Sequence, residues 1–453
     1  MTAANLQDNY RDRYVCVLGL GYVGLTLAAV MADAGFKVLG VEIRDDVLAK
    51  LRRGKSHFHE PGLDELIQRL VRKRSIKFVK HIPRDSKASV YIITVGTPLN
   101  AGGHVRLDMV ENVGKEVASH LKANDLVILR STVKIGTTRN TIQPILKKTG
   151  LPFDLAFCPE RTLEGQALSE LRHLPQIVGG INEHAAVRAS QLFQFVTPTV
   201  VRVSDLETAE TIKLIDNASR DVSFAYANEV AAICDRMGIS ATEVIRAGKL
   251  GYPRTNLPLP GLVGGPCLEK DSYILSEALE DAGYTPVITM SARRINERQP
   301  RDVAAYLHAL TMKMKGFAKK PVISFLGIAF KGRPATDDLR GTMTKHVFAA
   351  LKKFYPNAVF RGYDAVVPRN EIRKFGLVPC ATIDQAYKGA SLVLVTNNHP
   401  VFTTMPVERY AELMKKPGVI YDFWNSLPVS GLHMPHGTGY VTLGSHGKSI
   451  LPR

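Results

Sequence analysis

Three groups of residues in this 453-residue chain have types and spacings that could do chemistry. The first is Gly264-Gly265-Pro266-Cys267-Leu268-Glu269-Lys270-Asp271, which follows a stretch dense in proline and glycine and precedes a helical pattern. A thiol at a helix N-terminus ionises more readily and becomes a nucleophile, and Asp271 lies one helical turn on. The alternative is a small buried apolar residue, the usual fate of free cysteine and the one expected of Cys16, Cys158, Cys234 and Cys380. The second group is Lys213 and Asn217, four residues apart and so on one helix face. In a cleft Lys213 would stabilise an alkoxide; on a surface it would be a solvated lysine. Glu210, Asp216, Asn228 and Glu229 are further polar residues on the same, otherwise apolar, stretch. The third group is Gly19-Leu20-Gly21-Tyr22-Val23-Gly24, a G-x-G-x-x-G between a strand and a helix pattern. There Gly19 permits a tight turn, Gly21 lets a pyrophosphate approach the backbone, and Gly24 allows helix and strand to pack closely. Glu42 closes the next strand, about 20 residues on, where a carboxylate meets the adenosine ribose hydroxyls. A negative charge there favours NAD over NADP, with Arg44 nearby as the opposing feature.

The elements that must position these residues are legible in the apolar pattern. Short apolar runs at Tyr14–Leu18, Lys37–Val41, Val90–Val95, Leu126–Arg130 and Asp154–Cys158 read as buried strands. They alternate with helical patterns at Tyr22–Ala34, Asp45–Arg53, Asp64–Arg72, Met109–Leu121 and Thr137–Thr149. That order predicts a parallel, doubly wound sheet. Ser204-x-x-Glu207 reads as a capping box opening a helix that runs to Met237 and stops at Gly238, roughly 50 Å at 1.5 Å per residue. Irregular chain follows at 251–266, then helices near Ser272–Asp281 and Ser291–Lys315. After the basic tract Lys313–Lys320, strands at Pro321–Leu326, Ala358–Tyr363, Ser391–Val395 and Val419–Asp422 begin a second α/β pattern. The expected fold is therefore α/β, two Rossmann-like doubly wound domains joined by a helical middle. The expected boundaries are 1–203, 204–316 and 317–453.

Composition narrows the class. Hydrophobic residues at 45% and charged residues at 22% are those of a globular protein. Five dispersed cysteines without a C-x-x-C pair argue against a disulfide framework or a zinc cluster, so no metal site is expected. No signal-peptide pattern or membrane-length apolar run is present, so the expected placement is cytoplasmic, away from membranes. The net charge of +17 leaves nucleic acid, an anionic surface and small acidic ligands open.

In combination these blocks resemble the UDP-glucose/GDP-mannose dehydrogenase family, over roughly residues 14–445 and in the family's order. GLGYVGLTLA is similar to its NAD loop, placing Tyr22 and Val23 beside Gly19, Gly21 and Gly24. VGTPLN (95–100) and STVKIGTT (131–138) resemble its cofactor-side strand ends, implying Thr97 and Thr132. CPERTLEG (158–165) resembles the block of a catalytic glutamate, here Glu160, and KLIDN (213–217) its lysine–asparagine helix. GGPCLEKD (264–271) implies Gly264 at the substrate, Cys267 as nucleophile and Asp271 beside it. FLGIAFKGRPATDDLR (325–340) implies Lys331 and Arg340 as nucleotide contacts. Departures occur at Pro266, at Leu268-Glu269-Lys270 and at Glu42, where aspartate is commoner. Pro159-Glu160-Arg161 is closer to the N-acetylhexosamine branch, and Glu164-Gly165 to the UDP-glucose branch.

The resemblance implies oxidation of the C6 alcohol of a nucleotide sugar, UDP-linked by preference, to a carboxylate with two NAD. In that scheme Lys213 and Asp271 hold a water or the alkoxide, and Cys267 captures the aldehyde as a thiohemiacetal. Glu160 activates the water that hydrolyses the ensuing thioester, and Lys213 and Asn217 stabilise oxyanions. It also implies a homodimer through the long helix and a role in polysaccharide precursor synthesis. Two alternatives stand beside it: a single-step β-hydroxyacid dehydrogenase, which lacks the second α/β domain, and an NAD-regulated nucleic-acid-binding protein. The latter is favoured by Arg69–Lys80, but no recognition motif supports it.

Overall fold

A computed structural model describes residues 6–452 apart from 8 and 281. It divides into two compact units, Met1–Asp216 with Tyr273–Pro286, and Asn217–Ser272 with Val287–Arg453. The first holds an eight-stranded sheet of β1 (Tyr14–Leu18), β2 (Lys37–Val41), β3 (Ile76–Val79), β4 (Val90–Ile93), β5 (Asp125–Leu129), β6 (Phe153–Phe157), β7 (Gln176–Gly180) and β8 (Val200–Val203). Their spatial order is β3-β2-β1-β4-β5-β6-β7-β8. All neighbours are parallel except β6 and β7. Every residue of β4 and β5 is buried, as central strands covered on both faces must be. Alternation along the strands feeds two cores. Val15, Val17, Val90, Ile92, Leu126 and Ile128 fill one; Cys16, Leu18, Tyr91, Ile93, Val127 and Leu129 fill the other.

The second unit holds a six-stranded, wholly parallel sheet of β9 (Val322–Leu326), β10 (Val359–Tyr363), β11 (Val378–Pro379), β12 (Leu392–Val395), β13 (Gly418–Asp422) and β14 (Thr438–Thr442). The order is β11-β10-β9-β12-β13-β14. Ile323, Phe325, Leu392 and Leu394 share a core with Ala231 and Cys234 of the long helix and Val303 and Leu307 of helix Val287–Met312. The two-sheet architecture with a helical middle, Leu206–Met237, Ala241–Lys249, Asp271–Glu280 and Val287–Met312, is the one the apolar pattern predicts. Among the described residues no helix is long and apolar enough to cross a membrane.

Two local expectations are corrected. The long helix begins at Leu206, and its capping side chain is Asp205, which accepts from the Thr208 N–H at 2.7 Å. Ser204 is instead engaged with the Thr208 hydroxyl at 3.1 Å, because an aspartate one residue nearer the helix supplies the stronger acceptor for a free first-turn amide. The stretch 137–149 is not a uniform α-helix: Thr138–Ile142 is wound as a π-turn and α-helix resumes at Gln143–Lys147.

Candidate active site

In the first unit, β1 delivers the chain into Gly19, whose φ of +90° a side chain would oppose. Gly24, in the first turn of helix Tyr22–Asp33, has no room for a Cβ, which would lie 1.9 Å from the Gly19 carbonyl oxygen and 2.4 Å from Thr94 Oγ1. Gly21 is the opposite case. It caps the helix with no side-chain acceptor, and a Cβ there would meet nothing within 4 Å. A helix N-terminus with uncapped amides beside open space fits a pyrophosphate. Glu42 accepts from the Leu20 N–H at 3.1 Å and the Arg44 N–H at 3.0 Å. A carboxylate has about four acceptor sites, so two remain for ribose hydroxyls. The Arg44 guanidinium is turned onto Asp46 at 2.6 Å. Tyr22 contributes differently from its neighbours. Its buried ring stacks on Phe58 at 4.3 Å, its hydroxyl donates to Glu60, and it accepts from the Gly165 N–H at 2.7 Å. Its side chain thus braces the loop after β6.

The strand ends beside the glycine turn are joined. Thr97 Oγ1, buried after β4, donates to the Thr132 carbonyl after β5 at 2.5 Å. Glu160, buried at the end of β6, accepts from Arg130 Nη2 at 2.6 Å and Nε at 3.2 Å, and from the Arg161 and Thr162 N–H groups at 2.7 and 2.8 Å. Burial would raise its pKa, but Arg130, the Thr162 N–H and Lys213 together outweigh it and hold the carboxyl below its ordinary range. Glu160 is therefore held in place and ionised, the state in which a carboxylate can take a proton from water. Lys213 is also buried, and its charge reaches Glu160. One turn earlier, Glu210 ties the loop carrying Thr132 to the long helix. It accepts from the Gly136 N–H at 2.5 Å, and from the Thr138 N–H and hydroxyl at 2.8 and 2.5 Å.

In the second unit Cys267 is exposed, whereas Cys16, Cys158, Cys234 and Cys380 are buried. It does not stand in the first turn of a helix, as expected from its position. It lies one turn ahead, its carbonyl accepting from the Asp271 N–H at 2.9 Å, and helix Asp271–Glu280 starts only there. Asp271 is fully buried, accepts from Asn217 Nδ2 at 2.5 Å and faces the Lys270 ammonium at 3.3 Å. The Gly265 N–H donates to the Gly341 carbonyl at 2.7 Å, and a Cβ on Gly264 would stand 2.3 Å from that oxygen. The Cys267 loop therefore packs on the loop after β9 that carries Lys331 and Arg340. Lys331 lies over the Phe330 ring at 5.4 Å, and Arg340 is paired with Asp338 at 2.6 Å.

Residues 13–197 match the NAD-binding domain of the UDP-glucose/GDP-mannose dehydrogenase family, 207–298 its central domain and 324–428 its UDP-binding domain. The chain belongs to that family. It is an NAD-dependent oxidoreductase of a CH–OH group in a UDP-sugar, and its UDP-binding domain is the part a single-step β-hydroxyacid dehydrogenase lacks. Among members of the family it is similar to the UDP-N-acetyl-D-mannosamine dehydrogenase of Pyrococcus horikoshii, at 32% identity over 90% of this chain and 94% of the relative. It is also similar to that of Yersinia pestis, at 33% over 87% and 95%. A solved structure of the P. horikoshii UDP-D-ManNAc dehydrogenase superposes with a TM-score of 0.86, at 30% identity, covering 96% of this chain and all of that one.

Arg130, Glu210 and Glu60 are not marked as parts of this site by the sequence pattern. Arg130 has a signal, a charge closing an otherwise apolar strand. Glu210 stands out only as a polar residue on an apolar helix.

Proposed function

We propose that the chain is a four-electron UDP-sugar 6-dehydrogenase that converts the C6 alcohol to a carboxylate through a thiohemiacetal and a thioester on Cys267. The observation that carries this reading is the contrast among the cysteines: the one exposed thiol is the one beside the buried Asn217–Asp271 pair. Gly19, Gly21, the main chain of Tyr22 and Val23, Gly24, Glu42, Thr97 and Thr132 would hold NAD. When bound, NAD supplies the hydride acceptor for both oxidations. Lys213 and Asp271 hold the proton of the C6 hydroxyl or a water in its place. The Cys267 Sγ adds to the aldehyde carbon and so prevents its escape. Glu160 activates the water that cleaves the thioester by taking its proton, the Cys267 sulfur leaving as the acyl carbon becomes a carboxylate, and Asn217 and Lys213 donate to the oxyanion. Gly264, Lys331 and Arg340 bind the nucleotide-sugar side.

The sugar we propose is UDP-N-acetyl-D-mannosamine, on the names the relatives carry. The same reading makes the enzyme a cytoplasmic homodimer built on the long helix, with domains divided near 203 and 316 and the nucleotide sugar, not nucleic acid, as its partner. The test is stoichiometry: two NADH should form per UDP-N-acetyl-D-mannosamine, and Cys267→Ser should lose uronate formation. Uronate made at the normal rate by Cys267→Ser would end the thioester route.

A further inference from the structure

The loop that presents Cys267 is poor in side chains able to hold it. Gly264 and Gly265 add backbone freedom, and Cys267 itself is exposed. Besides the Gly265–Gly341 hydrogen bond, it is held from helix Val287–Met312. Arg293, among the largest fully buried side chains, donates from Nη1 to the Leu268 carbonyl at 2.8 Å and from Nη2 to the Val263 carbonyl at 3.1 Å. Those two carbonyls bracket residues 264–267. The same Nη1 donates to Asp221 Oδ1 at 2.9 Å.

Asp221, wholly buried on the long helix, also accepts from Asn296 Nδ2 at 2.8 Å, and its other oxygen accepts from Ser272 Oγ at 3.2 Å. A planar guanidinium is suited to serving two carbonyls and a carboxylate at once; a lysine ammonium is a point charge that cannot reproduce the fork. Buried charge-assisted hydrogen bonds of this kind are short and directional, so the backbone on both sides of the thiol is held.

We propose that Arg293, itself fixed by Asp221, is a positioning residue that sets the attack direction of the Cys267 thiol. The proposal rests on Cys267 being the nucleophile. It acts through the loop, touching neither substrate nor cofactor. A displacement near 1 Å at a reacting atom can cost about 100-fold in rate. Arg293→Lys, which keeps the charge but loses the fork, should therefore lower kcat by roughly 10- to 100-fold while the KM values for NAD and UDP-N-acetyl-D-mannosamine hold. The rate at which iodoacetamide alkylates Cys267 in the folded enzyme, read on that peptide by mass spectrometry, should change in the same variant.

Ser272→Ala removes one hydrogen bond to Asp221 and leaves Arg293 in place. It keeps the test decisive if Arg293→Lys fails to fold, and should show the same pattern at a few-fold size. Folded variants with wild-type kcat and wild-type alkylation rate would overturn the proposal. So would a loss that a smaller folded fraction accounts for in full. The nucleophile reading fails separately: an active Cys267→Ser enzyme ends that reading, whereas an inactive one beside an unaffected Arg293→Lys ends only the positioning role.

Discussion

The two sheets share one frame and use it differently. In each, the strand order about the centre is the same, β3-β2-β1-β4-β5-β6 and β11-β10-β9-β12-β13-β14. Each first strand ends in a glycine with positive φ, Gly19 at +90° and Gly327 at +86°. Each is clasped by a threonine from the fourth strand's end, Thr94 on the Leu18 and Gly19 carbonyls and Thr396 on those of Leu326 and Gly327. Each has a carboxylate at the second strand's end that accepts from the amide after the glycine, Glu42 from Leu20 and Asp364 from Ile328.

The divergence starts one residue later. In the first sheet the helix begins at Tyr22, its N-terminus open. In the second, Leu326 is followed by a long loop before helix Met343–Phe354. Glu42 keeps acceptor sites free, whereas Asp364 commits its oxygens to Ile328, Ala329, Val366 and Val367. The same carboxylate position thus keeps acceptor sites open in one sheet and is filled by the protein's own loop in the other. A Rossmann-like turn is a versatile frame, and the amides left unpaired show which job it does.

The largest effect that could break this comparison is expected at Gly24. Gly24→Ala forces a Cβ into the Gly19 carbonyl, and overpacking against backbone costs at least about 1–3 kcal/mol. NAD binding, measured by calorimetric titration, should be lost while UDP still binds. Retained NAD affinity would mean that the close approach is dispensable. A smaller, divided effect is expected at the two carboxylates. Asp364→Ala leaves the part-buried Ile328, Ala329, Val366 and Val367 amides to water, at a total cost of roughly 1–2 kcal/mol, and should lower the denaturant midpoint and UDP affinity together. Glu42→Ala should weaken NAD by about 10-fold, near 1.4 kcal/mol, with little change in midpoint. Equal loss of stability in both variants would erase the distinction.

The smallest effect concerns the loops after each sheet's fifth strand, both tied by a buried carboxyl, Glu210 in one and Asp422 in the other. Burial pushes Glu210 up to about 7, against the Thr138 and Gly136 hydrogen bonds that favour its ionised form. Burial also raises Asp422, against Tyr440, Trp424 and Ser426. A carboxyl raised in the folded state holds its proton longer there than in the unfolded chain. Its stabilisation is complete below the ordinary carboxyl range and is lost as pH rises, for Glu210 through about 7. Urea midpoints across pH 4 to 8 should show this slope, flatter in Glu210→Gln. An unchanged slope would mean that Glu210 is ionised throughout.

How much of the fold and the site is legible in the chain depends on whether the signal is local. The central strands announce themselves because continuous apolar runs of strand length, bounded by turns, fit little besides a buried strand. Gln176–Gly180, Val200–Val203 and Thr438–Thr442 do not: the first ends in two glycines, the second is half exposed, and the third mixes small polar residues with a tyrosine. The glycine fingerprint is legible with its reasons, since turn, approach and packing each call for glycine at a fixed place. Lys213, Asn217, Cys267 and Asp271 can be singled out by type and spacing. The residues that hold them cannot. Glu210 meets Thr138 across 72 residues and Arg293 meets Asp221 across 72 more, and no local pattern reports a partner so distant. The capping error at Ser204 has the same character on a small scale: two acceptors stand side by side, and only geometry chooses between them.

The margins of the two sheets give part of the positive charge a meaning unconnected with ligands. Strand β3 carries exposed Lys77 and is followed by exposed Lys80, and β8 carries exposed Arg202. Strand β11 has only two residues and ends in Pro379, and β14 is met by an antiparallel bridge from Ile450 to Tyr440. Unpaired strand edges invite other chains to add on, and lysine, arginine, proline, shortness and a covering segment each discourage it. Lys77, Lys80 and Arg202 along these margins are side chains of the kind that discourages an added strand, a use of positive charge separate from catalysis.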